Sequence, residues 1–518
     1  MFLRYPARPL VALVLGVLSL GAVGCSAGST AFTGASSRGE SRDATVVLAA
    51  GAAPASLDFT TTSGAAIAQA LMGNVYETLV TIDASGAIQP GLARSWEVSP
   101  DGTSYTFHLR PGVRFSNGDA FNAHTAAFSL DRVRSSAWTN GLKAQMDPVA
   151  HTRARDDLTL EVHLHERSAS WLWTMGTLVG AMMSPGGVGD LAAHPVGTGP
   201  YEVQAWAVGS ALRLGARSDY WGVPPANQAA EIRYFPDAVS AVNALESGDV
   251  DVLWGLQSPE LLDPLRARGT WNIDVGTTNG EVLFSMNNRR APFDRVEVRR
   301  AVLHAIDRQA VMNTVWDGYG VDTGGAPVAP TDPWYQPSAR YPFDPERART
   351  LLRQAGFATD GSDPRLALTL TVPSLPYAQA TSELVYSHLR DVGFSVTLQS
   401  AEFPAVWLAQ VLKGHDYDAS LIAHVEPRDV PTLFGNPDYY LGFDSARTRE
   451  LLAAADAAAP EDTTVLMARA VDSIMEEAAA DTLMNLPNIV VSHPAVTGIE
   501  PTAAVDSLPL ARIAKERG

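Results

Sequence analysis

The sequence predicts an α/β protein that carries a separate, more β-rich region near its N-terminus. In the second half, Leu366–Val372, Thr381–Gly393 and Phe394–Ser400 have the strand, helix and strand patterns of a βαβ unit, which indicates a parallel sheet covered by helices. In the first half, Trp96–Val98 and Thr103–Leu109 flank the turn sequence SPDG and predict a β-hairpin. The chain has 518 residues, more than one hydrophobic core usually holds, so we expect two or more domains.

The predicted elements of the first half each have a local cause. Ala44–Gly51 is a compact apolar run, which is typical of a strand. Tyr105, Phe107 and Leu109 alternate with polar residues, and this period of two predicts a strand with one buried face. Asn122 precedes the sequence AHTAAFSLDRV, which predicts a helix capped by the Asn side chain.

Two predicted helices of the second half have recognisable ends. Asp344–Gly356 begins with an Asp cap, has Pro at the first helical position and ends at a glycine. Thr381–Gly393 also ends at a glycine, which suits the left-handed position just beyond a helix.

The N-terminus has the pattern of a secretory signal peptide. Met1–Pro9 contains Arg4 and Arg8, and Leu10–Val23 is an apolar run of 14 residues that is too short to span a bilayer comfortably. A basic start, a short apolar core and small residues before a cleavage site predict that residues 1–24 are removed on export.

Cys25 is the only cysteine and directly follows small residues. Its setting resembles the bacterial lipobox, in which the thiol takes a diacylglycerol and the cysteine becomes the mature N-terminus. The usual Leu three places earlier is Ala22 here, and the alternative is a plain secretory signal with a chance cysteine. Because 26–43 is small and polar, we interpret residues 25–43 as a lipidated cysteine and a flexible tether.

Composition argues against several functional classes. The formal net charge is −18, and removing 1–24 deletes two arginines and no acid, so a mature chain would carry −20. Such an acidic chain is poorly suited to nucleic acid or to an anionic membrane surface. A single cysteine allows no intrachain disulfide and no cysteine-cluster metal site, and the 11 histidines form no HExxH pattern. No GxSxG, P-loop or GxGxxG motif is found, so we expect neither an enzyme nor a bound cofactor or metal.

Several ordered blocks, which together cover nearly the whole mature chain, resemble one known family. The first is LARSWEVSPDGTSYTFHLRPGVRFSNGDAFNAH, which is similar to the signature of the family 5 extracellular solute-binding proteins, the peptide- and nickel-type receptors of ABC importers. The supporting blocks follow in the family's order: PVGTGPY (Pro195–Tyr201), DYWG (Asp219–Gly222), ALESGDVDV (Ala244–Val252), APFDRVEVRRAVLHAIDRQAV (Ala291–Val311) and YPFDPERARTLLRQAGF (Tyr341–Phe357).

The resemblance implies a two-lobed, type II periplasmic-binding-protein fold with an additional inserted β-rich domain. Two α/β lobes would be joined by crossing strands. Lobe I would comprise residues 44–75, 199–285 and 490–518, the inserted domain 76–198, and lobe II 286–489. In that arrangement the aromatic residues of the hairpin would build the core of the inserted domain and would not touch ligand.

The resemblance also implies that a solute binds between the lobes, which close by hinge motion. The family lines this cleft from the segment after the first strand, from the crossing strands and from the second lobe. The matching segments here supply the candidate ligand-binding residues Asp58, Asn287, Trp407, His424, Glu426, Arg428 and Asp429.

The candidates have competing interpretations. Trp407 is similar in placement to a cleft Trp of peptide-binding relatives, and equally consistent with a core Trp on a helix Ala405–Leu412. The charged sequence HVEPRDV (His424–Val430) follows a predicted strand, and charges at the carboxyl end of a parallel strand face the crevice. The alternative is a solvated loop with routine ion pairs. His415 and His424 could approach a nickel chelate, but scattered histidines are the simpler interpretation.

One position departs from the family pattern. Peptide receptors of this family usually hold the ligand's α-amino group with an Asp four residues before a Pro that follows an acid. Aligned on Glu426-Pro427, that position is Ala423, so the usual anchor is missing unless Glu426 or Asp429 replaces it. Arg428 could pair with a carboxylate or another anion.

We therefore expect a lipid-anchored receptor on the outer face of the cell membrane, in the periplasm or cell-wall space. It would bind oligopeptides or a similar polar solute and deliver them to an ABC permease with a cytoplasmic ATPase. It would be a monomer, reach the membrane through its lipid and bind no nucleic acid. The alternatives are the same fold with a metal chelate, opine or sugar, or an exported sensor or hydrolase.

Overall fold

The computed structural model of this protein describes residues 45–62 and 64–515. The predicted signal peptide (1–24), Cys25 and the tether (26–43) lie outside the described residues, as do the outermost residues of predicted lobe I. No helix of the described part is long and apolar enough to cross a bilayer.

The described chain contains one large mixed sheet and several smaller ones. The strands, numbered in chain order, are β1 (Thr45–Ala50), β2 (Val80–Ile82), β3 (Ile88–Pro90), β4 (Ala93–Val98), β5 (Ser104–Leu109), β6 (Val149–Asp156), β7 (Thr159–Leu164), β8 (Tyr201–Ala207), β9 (Ala211–Ala216), β10 (Ala229–Tyr234), β11 (Val252–Trp254), β12 (Asn272–Met286), β13 (Ala367–Pro373), β14 (Ser395–Ala401), β15 (Ala419–His424), β16 (Ala480–Ser492), β17 (Val496–Thr497) and β18 (Ala514–Lys515). The large sheet has ten strands in the order β14-β13-β15-β12-β16-β11-β1-β10-β9-β8.

Helices cover this sheet and connect its strands. They are α1 (Ala65–Leu71), α2 (Ala123–Arg134), α3 (Trp171–Thr174), α4 (Ala238–Ser247), α5 (Leu262–Arg268), α6 (Val296–Ala305), α7 (Arg308–Val315), α8 (Pro345–Gln354), α9 (Pro376–Asp391), α10 (Ala405–Trp407), α11 (Val430–Gly435), α12 (Ala446–Asp456) and α13 (Pro460–Glu476). A π-helical segment, Leu408–Lys413, continues directly from α10.

Two long strands connect the halves of the large sheet. β12 has 15 residues and β16 has 13, and they pair antiparallel from Asn272↔Ser492 to Ser285↔Ala480. Their register is interrupted between Thr277 and Glu281. On one side of this interruption β16 also pairs with β11, and on the other side β12 also pairs with β15. These are the crossing strands that the predicted two-lobed fold requires.

Most of the predicted elements are confirmed. β4 and β5 pair antiparallel, with Trp96 opposite Phe107. Asn122 caps α2 by accepting hydrogen bonds from the backbone N–H groups of His124 and Thr125. β13 and β14 are parallel neighbours joined by α9. This helix begins at Pro376, five residues before the predicted start, because proline's fixed φ suits the first helical turn.

The region predicted as the inserted domain contains a four-stranded antiparallel sheet in the order β4-β5-β7-β6. Tyr105 and Phe107 are buried on one face of it and pack against Trp171, with ring centroids 4.8 and 6.2 Å away. Trp96 is half-buried against the same core. Tyr105 and Phe107 therefore pack as their alternation predicts, and Trp96 packs as the resemblance implies.

The buried apolar residues form separate cores on the two sides of the crossing strands. One core contains only residues between Val282 and Met484. Another runs from Val46 to Val252 and from Val490 to Ile513, so the four-stranded sheet shares a core with β1, β9 and β10. A third, smaller core lies around α4 and α5.

Two of the family-like blocks meet around one buried carboxyl group. Glu77 accepts hydrogen bonds from the hydroxyls of Thr198 and Tyr220 and from Nε1 of Trp221, at 2.7–2.8 Å. Gly197 lies against the backbone, since a Cβ there would stand 1.9 Å from the carbonyl oxygen of Val75. The residues of the PVGTGPY and DYWG blocks are thus explained by their packing around Glu77 and Val75.

Candidate functional site

The loop between β15 and α11 brings three predicted residues to one edge of the large sheet. Glu426, Arg428 and Asp429 follow the carboxyl end of β15, where open α/β sheets place their ligands. Asp429 directly precedes α11, but its side chain makes no hydrogen bond to that helix. Its carboxyl group is therefore available for contacts elsewhere.

Five carboxyl groups from four separate segments form a row at this edge, called here the acidic row. Its members are Glu281 of β12, Asp332 of the α7–α8 connection, Glu426 and Asp429 of the β15–α11 loop, and Asp506 of the segment after β17. The charge of Asp429 interacts with those of Glu281, Glu426 and Asp332. Asp506 interacts with Glu426. The five carboxyl groups are therefore near enough for their charges to interact.

Enclosure by protein raises the pKa of every member of the row. Burial raises the pKa of Glu281 to about 8 and that of Asp506 to about 7. Burial also raises the pKa of Asp332 to about 6, although the charge of a neighbouring arginine opposes the shift. The pKa of Asp429 is raised well above its usual value by burial and by the neighbouring acids. Glu426 is exposed to solvent, yet its pKa is also raised by desolvation, as for a group that lines a crevice.

Two oxygens of the row are buried without a hydrogen-bond donor from the described protein. They are Oε1 of Glu281 and Oδ2 of Asp429. Glu281 is only 4% exposed, and its other oxygen accepts a hydrogen bond from Oγ1 of Thr482 at 3.3 Å. Buried polar atoms in native proteins are almost always paired, and an unpaired one costs about 1–3 kcal/mol or more. These two oxygens therefore mark a place where a donor from outside the chain would be stabilising.

Arg428 bridges the two sides of the site. Its guanidinium lies 4.2 Å from the ring centroid of Trp173 and 5.0 Å from that of Trp334. Its Nε is 3.5 Å from Oδ1 of Asp332, and Nη2 donates to the carbonyl of Gly86 at 3.4 Å. Because Gly86 and Trp173 belong to the region predicted as the inserted domain (76–198), Arg428 ties the β15–α11 loop to that region and is not a free cation.

A second bridge lies at the end of α12. Oδ1 of Asp456 accepts hydrogen bonds from Oγ of Ser168 at 3.1 Å and from the N–H and Oγ of Ser170 at 2.9 and 2.6 Å. The N–H of Ala169 donates to the backbone carbonyl of Asp456 at 2.6 Å. With the Arg428 bridge, these contacts join the two sides of the crossing strands.

His424 and Trp407 lie behind the acidic row, inside the sheet half that contains β15. Nε2 of His424 and the hydroxyl of Tyr440 are hydrogen-bonded at 2.8 Å, and burial lowers the pKa of His424 to about 4, so the imidazole is neutral at pH 7. Trp407 is 2% exposed, and its Nε1 donates to Oγ of Ser420 at 3.0 Å. The contacts of Trp407 are those of a core residue.

The structure does not place Asn287 or Asp58 with the row. The Asn287 side chain donates to the carbonyls of His415 and Tyr417, both at 3.1 Å, and is 6% exposed. Asp58 stabilises its own turn by accepting from the N–H of Thr60 at 2.9 Å. Both side chains are engaged locally. The described residues contain no group of three or more His, Cys, Asp or Glu placed to hold a metal ion.

Sequence reasoning missed several residues of the site. Glu281 had a usable signal, since it is an acid in a long strand and every strand residue after it is apolar or neutral. Asp332, Asp506, Trp173 and Trp334 lie in loops or in a single helical turn without a recognisable pattern. Only the tertiary fold brings them to the row.

A type II periplasmic-binding-protein fold is the class that this architecture defines, with crossing strands between two α/β halves of one sheet. The family model described as bacterial extracellular solute-binding proteins, family 5 Middle, matches residues 87–443, and the chain belongs to this family.

Relatives of known name are similar over much of the chain. Heme-binding protein A of Haemophilus influenzae is 29% identical over 363 residues, which cover 64% of this chain and 65% of that protein. The dipeptide-binding protein of Escherichia coli (strain K12) is 28% identical over 344 residues, which cover 61% and 63%. The chain thus spans less than two thirds of the length of these two curated relatives.

Solved structures match the fold more completely. The periplasmic binding protein DppA from Helicobacter pylori in complex with peptide STSA has a TM-score of 0.77 at 23% identity, covering 91% of this chain and 98% of that one. NikA from Brucella suis in complex with Fe(III)-EDTA has a TM-score of 0.80 at 22% identity, covering 91% and 100%.

Removing the Asp456 bridge should favour an open crevice. Asp456→Ala deletes a carboxylate that accepts three hydrogen bonds, and hydrogen bonds to charged groups contribute about 1.5–3 kcal/mol in favourable settings. We expect ligand-free Asp456→Ala to have a larger radius of gyration in small-angle X-ray scattering than the unmodified protein, with unchanged circular dichroism.

The matched control is Glu450→Ala, which changes an exposed acid on the same helix. The control should have the same radius of gyration as the unmodified protein. Identical radii for all three proteins would show that the Asp456 contacts do not hold the crevice closed.

Proposed function

We propose that this protein is an extracytoplasmic receptor that binds a polar solute with a positively charged amine, such as an oligopeptide, and delivers it to an ABC import permease. The observation that carries this proposal is the pair of buried carboxyl oxygens of Glu281 and Asp429 that lack a donor. An ammonium group has three N–H donors and a positive charge, which is what buried carboxyl oxygens without a donor require.

Glu281 and Asp429 also bear on the missing amine-binding Asp, whose position is occupied by Ala423. The Ala423 N–H donates to the hydroxyl of Tyr377 at 2.8 Å, and its side chain has no group that could bind an amine. Glu281 and Asp429 lie on the neighbouring strand and on the following loop, and we propose that they replace the missing anchor.

The names of the relatives support binding rather than catalysis. The matched proteins are named for binding heme, dipeptides and glutathione, and the structures hold a peptide or an iron chelate. Because these ligands differ in chemistry, we infer the ligand class from the residues of this chain. In the proposed mechanism the solute enters an open crevice, the two halves close by hinge motion at β12 and β16, and the solute leaves unchanged.

We propose that Cys25 anchors the receptor to the outer face of the cell membrane. The support is in the sequence: a basic start, an apolar run, small residues directly before the cysteine and a polar tether after it. Stable anchoring by lipid requires more than one acyl chain, which the diacylglycerol form would supply.

Purified protein should retain its solute when handled mildly. We expect native mass spectrometry to show the protein with a bound small molecule or a mixture of short peptides. Asp429→Asn should lose most of this occupancy, because removing one partner of a buried charged contact costs about 2–5 kcal/mol, or roughly 30-fold or more in affinity.

Asp462→Asn, an exposed change at the start of α13, is the matched control and should keep the occupancy of the unmodified protein. Two results together would contradict the proposal. The unmodified protein would have the mass of the ligand-free chain, and no member of a di- and tripeptide library would raise its melting temperature.

The lipid anchor has its own test. Cys25→Ser should move the protein from the membrane fraction of the native cells to the soluble exported fraction. Retention of Cys25→Ser in washed membranes, at the level of the unmodified protein, would contradict the anchor.

A further inference from the structure

Asn485 of β16 lies directly opposite Glu281 of β12, at the point where the register of the crossing strands resumes after its interruption. Residues opposite each other in an antiparallel pair lie on the same face, with Cβ atoms about 4.5–5.5 Å apart. The hydrogen bond from Oγ1 of Thr482 to Oε2 of Glu281, at 3.3 Å, is a second contact from β16 on this face. A group that reaches Glu281 is therefore also near the side chain of Asn485.

The Asn485 side chain is fixed by hydrogen bonds to the interrupted part of β12. Its Nδ2 donates to the backbone carbonyls of Thr278 at 3.0 Å and of Gly280 at 2.8 Å, so both amide N–H groups are used. Exchanging the amide nitrogen and oxygen would place an acceptor against two other acceptors, so these contacts determine the orientation of the amide. The remaining polar atom, Oδ1, can only accept.

Oδ1 of Asn485 has no donor within the described protein, although the residue is 0% exposed. The backbone of Asn485 is held in place, because it exchanges hydrogen bonds with Val321 at 2.9 and 3.1 Å. Oε1 of Glu281, the side chain opposite, is likewise buried without a donor. Buried acceptors in native proteins are almost always paired. Two residues that face each other across the crossing strands therefore each leave one acceptor oxygen unpaired.

We propose that Asn485 is a specificity-determining residue of the crevice: its Oδ1 and Oε1 of Glu281 accept hydrogen bonds from the same amine of the solute. That amine must then carry at least two N–H donors, as a primary ammonium does and as tertiary and quaternary ammonium groups do not. The inference rests on the proposed function and narrows it, from a positively charged amine to one that also supplies several donors.

The carboxyl groups and the amide of Asn485 select for different properties of the solute. A carboxylate attracts any cation, including a methylated one, because Coulomb attraction has no preferred direction. A neutral amide oxygen gains mainly from an N–H that points at it. A site with an acceptor that only the solute can pair rejects the analogue that lacks the donor. Asn485 therefore selects against N-methylated amines that the acids alone would admit.

The test is calorimetric titration with two dipeptides of identical composition and charge. Isovalyl-alanine carries its extra carbons on Cα and has a primary ammonium, whereas N,N-dimethylalanyl-alanine carries them on nitrogen and has a single N–H donor. At about pH 6 both amines are protonated. Isovalyl-alanine should bind at least about fivefold more tightly, which is the effect of one hydrogen bond to a buried acceptor.

Asn485→Leu tests the residue itself, because leucine has a similar shape and no acceptor. The ratio of the two affinities should fall towards one, since a donor of isovalyl-alanine then loses its partner. Loss of the Nδ2 contacts alone would weaken both dipeptides equally and leave the ratio unchanged. Asn485→Ala, which adds no apolar branch, is the second variant and should lower the ratio in the same way.

The matched control is Asn279→Ala, which changes the same interrupted segment of β12. It removes the 3.3 Å hydrogen bond from Oγ1 of Thr331 to Oδ1 of Asn279 and leaves the Asn485 side chain in place. This control should keep the affinity ratio of the unmodified protein.

The outcomes separate the inference from the proposed function. Equal affinities of the unmodified protein for the two dipeptides overturn the inference, and so does a ratio that persists in the folded Asn485 variants. A protein that still retains peptides keeps the proposed function in either case. Binding of neither dipeptide also overturns the inference, and the proposed function falls with it only when the purified protein is empty as well.

Discussion

Carboxyl groups buried without a partner are the constraint on which the site depends. Taking an ionised carboxylate out of water is costly unless a charge or hydrogen bonds compensate it, so a protein that encloses several of them has to leave them neutral or provide a cation. Here the chain compensates Asp332 with Arg428 and leaves Glu281 and Asp429 with unpaired oxygens. The most economical explanation is that the compensating cation arrives with the solute.

The fold makes this arrangement reversible. β12 and β16 are the strands that cross between the two halves of the sheet, and their register is interrupted next to Glu281. In the proposed hinge motion, a small change there would move one half against the other and expose the row to water. Asp456 and Arg428 each contact the opposite side of the crossing strands. A solute that neutralises the row would add contacts that the open form lacks, which is the condition for a ligand to shift such an equilibrium.

Local patterns predicted much of the fold and only part of the site. The alternation at Tyr105 and Phe107, the Asn122 cap and the βαβ unit depend on neighbours in sequence, and each is confirmed. The β15–α11 loop was predicted because charges follow a strand. Asp506 could not be predicted in the same way, because it reaches the row from a C-terminal segment more than 70 residues beyond that loop. Residues that meet only through tertiary structure leave no periodic signal.

If closure buries ionisable acids, the balance between open and closed forms depends on pH. The groups that face Glu281 and Asp429 from neighbouring elements are Asp332, Glu426, Arg428, His424, Tyr439 and Tyr440. Of these, the tyrosines and His424 stay neutral and Arg428 stays charged between pH 6 and 8. Only the acids titrate. Because their pKa values are raised in the closed form, closure is favoured at low pH and loses that advantage as pH rises towards 8.

The most direct measurement is small-angle scattering of solute-free protein between pH 8 and pH 6. We expect the radius of gyration to fall as the pH is lowered, and Glu281→Gln/Asp429→Asn to have the smaller radius already at pH 8. A radius independent of pH, and equal in the double variant, would contradict the claim that closure buries uncompensated acids.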